Sequence, residues 1–212
     1  MLKTRSHLLV AFAVVVLLGS AGPALAGPPL ICHPFETGAA PLLSWGQGDG
    51  WNTPDTKYDL HRLTADTMRL LNKDAPVLAR MENLRRATVY AIKDPQVAQE
   101  LLAALMGRAL AASGPRDPNA WFDAGYLIEA YRQGIHLRAP TVSGHAAWAA
   151  VDESLKVDGY GFVKKAIALT PSADMEFAAS LMTQGATSSA HRARAAAATT
   201  RGSLLAQNLE KY

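Results

Sequence analysis

The chain has 212 residues with 21 Lys and Arg against 18 Asp and Glu, and 49% of it is hydrophobic. Two of the basic residues, Lys3 and Arg5, fall in an opening export segment, which leaves 19 against 18 and gives nucleic acid no strongly basic surface to bind. The single cysteine excludes an internal disulfide, so Cys32 is expected as a buried apolar residue, a free thiol or half of an intermolecular bridge.

Residues 1–26 read as a secretory signal. Lys3 and Arg5 precede an uncharged run from Ser6 to Ala26 whose apolar centre is Leu8 to Leu18. Gly19, Ser20, Gly22 and Pro23 then break a helix, and Ala24-Leu25-Ala26 suits a signal peptidase, which places the mature start at Gly27 and the protein in the periplasm or outside the cell. An uncleaved segment would instead act as a membrane anchor, because about 18 apolar residues span a bilayer. Lipidation of Cys32 is not expected, since bulky Ile31 stands where a lipidation site takes a small residue.

Residues 27–52 form an extended arm rich in Gly, Pro and aromatic residues with almost no charge, and 53–212 a helical domain. Helix starts are marked by a small polar cap residue followed by proline, at Thr53-Pro54, Asp94-Pro95, Asp117-Pro118 and Thr170-Pro171, with a looser form at Asp74-Ala75-Pro76. Leu60, Leu63, Thr67 and Leu70 make the first apolar stripe, and Met81, Leu84, Thr88 and Ala91 the second. Val97, Leu101, Ala104 and Leu105 lie on a third helix that Ser113-Gly114-Pro115 ends. An aromatic-rich fourth, with Trp121, Phe122, Gly125, Ile128 and Tyr131, closes at Gly134 and is expected at the centre of the core.

After a loop through Pro140, Ser143 is expected to cap a fifth helix bearing Ala147, Trp148, Val151 and Leu155. A sixth runs from Tyr160 to Leu169. The seventh follows Pro171, presents Phe177, Ala178 and Leu181 and stops near Gly185. The eighth is alanine-rich and runs from Ser188 to the C-terminus with Arg192, Arg194 and Arg201 toward solvent and Leu204, Leu205 and Leu209 inward. No strand period appears. The expected fold is all-α, with seven or eight antiparallel helices in stacked hairpins, either solenoid-like or a compact bundle.

The stretch Phe162-Val163-Lys164-Lys165-Ala166-Ile167-Ala168-Leu169-Thr170-Pro171, followed by Phe177, resembles the second helix of a tetratricopeptide repeat running into the next first helix. Trp121, Gly125 and Tyr126 are similar to part of a first helix. The likeness covers about a quarter of the chain with no fixed 34-residue period, and it implies α/α packing and a scaffold for a protein or peptide. The segments Ile31 to Gly38 and Leu43-Ser44-Trp45-Gly46 resemble the mature start of uncharacterised exported bacterial helical proteins, which implies export and no particular activity.

Cys32-His33 is the sharpest chemical feature, pairing a thiol with an imidazole as nucleophile and base or as two metal ligands. Neighbours on extended chain point to opposite sides, and no second cysteine completes a zinc site, so packing of the arm is the expected role. His61, His136, His145 and His191 lack metal-ligand spacing and are expected as surface or capping residues. No Gly-x-Ser-x-Gly elbow or phosphate-binding glycine loop occurs. The run Gly46-Gln47-Gly48-Asp49-Gly50-Trp51-Asn52, with Asp55 and Asp59, fails the calcium-loop spacing and reads as a loop leading into the first helix. No cofactor or metal is expected.

Arg80, Arg85 and Arg86, diluted by Glu82 and Glu100, are expected on a solvated helix face. Trp45 and Trp51 are the interaction candidates of the arm, unless the arm folds back and buries them. These features favour a non-enzymatic exported scaffold for a protein or peptide. The alternative is a small thiol-dependent enzyme or redox protein using Cys32 and His33.

Overall fold

The computed structural model describes residues 29–48, 50–111, 116–138 and 146–212. The expected signal segment 1–26 and the expected mature start Gly27 lie outside these residues, as do Asp49, Ser113-Gly114-Pro115, Pro140, Ser143 and His145. So do the side chains of His136 and Ala147.

Among the described residues the chain is all-α, with nine helices and no strand: α1 (Leu63–Leu70), α2 (Val77–Ala91), α3 (Pro95–Leu110), α4 (Pro118–Gly134), α5 (Ala146–Ser154), α6 (Gly159–Leu169), α7 (Ala173–Met182), α8 (Gly185–Ala197) and α9 (Leu204–Lys211). Asp94 and Asp117 cap as their spacing predicts. The Asp94 carboxylate accepts from the backbone N–H groups of Gln96 and Val97, and that of Asp117 from Asn119, with proline in each first turn.

Three boundaries differ from expectation. Thr53-Pro54 starts no helix, because Thr53 is held by neighbours: its carbonyl accepts from Gly46 N–H at 2.9 Å, and the next N–H, of Asp55, reaches Tyr90 Oη at 2.9 Å. The first helical turn opens at Leu60, with the Asp59 side chain accepting from His61 N–H. Thr170 closes α6, and it is Ser172 whose hydroxyl accepts from Met175 N–H to start α7. The expected last helix is two, because Gly202 takes a left-handed φ of 77° and Ser203 caps α9 by accepting from Ala206 N–H.

Helix α4 is the hub, buried on nearly every side from Ala120 to Tyr131, its two acidic residues Asp123 and Glu129 each paired with arginine. It packs on α2, α3, α6 and α7, so the helices gather into a bundle. The approach of α6 is set by glycine on both helices. A Cβ on Gly125 would stand 2.5 Å from the Gly159 carbonyl oxygen, and one on Gly159 2.8 Å from that of Gly125. Only hydrogen fits there. Helices α7 and α8, joined through Thr183-Gln184, form a hairpin whose first helix also packs on α2, α4 and α6.

The expected solvated face of Arg80 and Arg85 is buried, with exposures of 1% and 0%. Arg80 Nη1 donates to Asp123 Oδ2 of α4 at 2.6 Å, Arg108 of α3 donates to the same oxygen, and both arginines also donate to the Leu71 carbonyl at the end of α1. Arg80 further reaches the carbonyls of Asn72 and Ala75. One buried cationic cluster thus satisfies the carbonyls that the α1 terminus leaves open, which is why the charge is inside.

Candidate functional site

Helix α2 has two working faces. Met81, Leu84, Thr88 and Ala91 turn one face into the bundle, and Glu82, Asn83, Arg86 and Tyr90 share the opposite one at helical spacing. Solvent does not cover that second face. The arm does, and it is held there mainly through its main chain.

Each contact is specific to a peptide backbone. Phe35 N–H donates to Glu82 Oε2 at 3.1 Å, and Leu43 N–H to Asn83 Oδ1 at 2.8 Å. Asn83 Nδ2 donates to the Pro41 carbonyl at 3.2 Å and Arg86 Nη1 to that of Leu43 at 2.6 Å. Tyr90 Oη donates to the Ser44 carbonyl at 2.8 Å while accepting from Asp55 N–H. Arg85 reaches across to the carbonyls of Ile31 at 3.2 Å and Trp51 at 2.9 Å.

The C-terminus closes the other side of the arm. Asn208 of α9 brackets Glu36, accepting its N–H and donating to its carbonyl, both at 2.9 Å. Lys211 Nζ donates to the Pro34 carbonyl at 2.8 Å, and Tyr212 Oη to that of His33. Gln133 of α4 accepts from Leu30 N–H at 2.8 Å. Between these points Leu30, Ile31, Phe35 and Leu43 are buried, and Phe35 stacks on Tyr212 with centroids 5.1 Å apart.

The groove's charges are paired where they are dry. Glu82, 1% exposed, accepts from Arg85 Nε at 2.8 Å, Arg85 Nη2 at 2.9 Å and Arg86 Nε at 2.7 Å. Both guanidinium groups lie over the Trp45 ring, 4.9 and 5.4 Å from its centroid, a cation–π arrangement that fixes the indole. Trp45 and Trp51 are half-buried on the bundle. Neither is wholly free and neither is wholly hidden.

Cys32 and His33 sit within the same strap. Cys32 is half-buried, and desolvation pushes its thiol above its ordinary value while the Arg85 guanidinium pulls the other way. A raised thiol is little ionised at neutral pH and a poor nucleophile. His33 lies edge-on to the Tyr212 ring at 5.5 Å. Among the described residues no group of three or more His, Cys, Asp or Glu is placed to hold a metal ion, and no helix is long and apolar enough to cross a membrane.

Sequence reasoning missed Glu82, Asn83, Tyr90 and Asn208, because a polar face covered by main chain carries the same pattern as one covered by water. It also read His191 as a surface or capping residue. The ring is 5% exposed and hydrogen-bonded at both nitrogens, with partners on α6 and α7 that no linear motif could join. No family model matches the chain, and no curated protein or solved structure matches it.

Proposed function

We propose that the protein is an exported helical scaffold that binds a protein or peptide partner, with the rim of the groove around Trp45 and Trp51 as the contact surface. The observation that carries this reading is the α2 face itself. Its side chains already hold an extended polypeptide by donors and acceptors aimed at main-chain groups, a mode that gives affinity with little dependence on sequence. The half-buried indoles beside it supply the anchoring surface common at binding hot spots. The α/α-repeat likeness of the α4 and α6–α7 segments accords with the same reading.

A photo-crosslinking residue at Gln47, exposed at the tip of the strap beside Trp45, tests it in cells of the source. Adducts at Gln47 that map to one partner segment, weakened by Trp45→Ala and absent from a probe at exposed Lys156 on the α5–α6 turn, support the proposal. Equal labelling at both positions, or none at Gln47, refutes it.

A further inference from the structure

Between α6, α7 and α8 lies an open depression of ≈ 560 Å³, on residues that the arm does not use. Tyr160 and Lys164 of α6, Glu176 of α7, and His191 and Arg194 of α8 converge on it, with Ile167 and Ala190 as apolar wall. His191 Nδ1 stands 2.5 Å from Glu176 Oε2, and Nε2 stands 2.6 Å from Tyr160 Oη. Arg194 Nε donates to the other Glu176 oxygen at 2.9 Å.

Desolvation acts to raise Glu176, but hydrogen bonds from Arg194 and His191 outweigh it and hold the carboxyl below its ordinary value. An ionised carboxylate only accepts, so His191 Nδ1 donates to it. Arg194 Nη2 lies 2.7 Å from the same Nδ1, a donor facing a donor, which an incoming acceptor would relieve.

Lys164 Nζ, 4.8 Å from the Tyr160 centroid, pairs with no carboxylate among the described residues. Two cations thus face one carboxylate, and the surplus is a single positive charge. That matches one negative charge, and the planar edge of a guanidinium suits a carboxylate. The apolar wall takes a small hydrocarbon body.

We propose that this depression binds a small carboxylate-bearing molecule, held by the Lys164 ammonium and the outer edge of the Arg194 guanidinium.

Titration of the full-length chain with benzoate, acetate and inorganic phosphate, followed by calorimetry, tests the site. Benzoate is expected to saturate it more tightly than acetate or phosphate. Lys164→Gln, on an exposed side chain, is expected to weaken benzoate about tenfold, as loss of one charge-assisted hydrogen bond does. Lys156→Gln serves as the exposed-lysine control and should change nothing. No saturable binding, tighter binding of phosphate, or an unchanged affinity in Lys164→Gln would each overturn the proposal.

Discussion

Replacing Asn83 by alanine isolates what the arm contributes to stability. Asn83 is fully buried, accepts from Leu43 N–H at 2.8 Å and donates to the Pro41 carbonyl at 3.2 Å. The two losses are unequal. Pro41 is exposed and its carbonyl regains water, at a net cost of about 0.5–1.5 kcal/mol. Leu43 is 2% exposed, so its N–H is left dry and unpaired, at about 1–3 kcal/mol. The sum is about 1.5–4.5 kcal/mol, a large share of the roughly 5–15 kcal/mol that holds a domain folded. Urea unfolding followed by circular dichroism reads it as a lower midpoint with unchanged slope. A loss below about 0.5 kcal/mol, the scale of an ordinary surface substitution, would mean that the arm is not docked on α2 as described.

Gly125→Ala is expected to destabilise the bundle by about 1–3 kcal/mol or more, because its Cβ would meet the Gly159 carbonyl at 2.5 Å. Gly107→Ala on α3, where nothing lies within 4 Å of the new methyl, should stabilise by about 0.5–1 kcal/mol in the same thermal melts. Glu176 is held below its ordinary value, so its contribution is present above the unfolded carboxylate value of about 4.3 and disappears as pH falls through the depressed one. Acid unfolding should therefore separate wild type from Glu176→Gln at neutral pH and bring them together in acid; a constant gap would refute that coupling. Native Cys32 should react with a thiol reagent far more slowly than in the urea-unfolded chain, since burial raises its thiol. Equal rates would show the strap to be open.

Much of the bundle was legible because helix boundaries and buried stripes are local. Asp94-Pro95 and Asp117-Pro118 begin helices where their chemistry requires, and the aromatic stripe from Trp121 to Tyr131 is the hub that its composition predicts. Thr53-Pro54 misleads for a non-local reason, its neighbours being tied to Gly46 and Tyr90. The groove was hidden by the same kind of physics. Arg80 is inside because Asp123 of α4, the α1 terminus and the loop that follows it share its donors, and Glu82 because two arginines and a backbone amide share its oxygens. Nothing in the spacing of these residues distinguishes that burial from a wet, charged face.

Native-state hydrogen exchange, resolved to single amides along the arm, is the most direct measurement. Leu30, Phe35, Glu36 and Leu43 should be strongly protected, because their N–H groups donate to Gln133, Glu82, Asn208 and Asn83, while Gly38 and Ala39 between them exchange freely. Uniformly fast exchange from 30 to 43 beside a protected α4 would contradict an arm held on the bundle through its main chain.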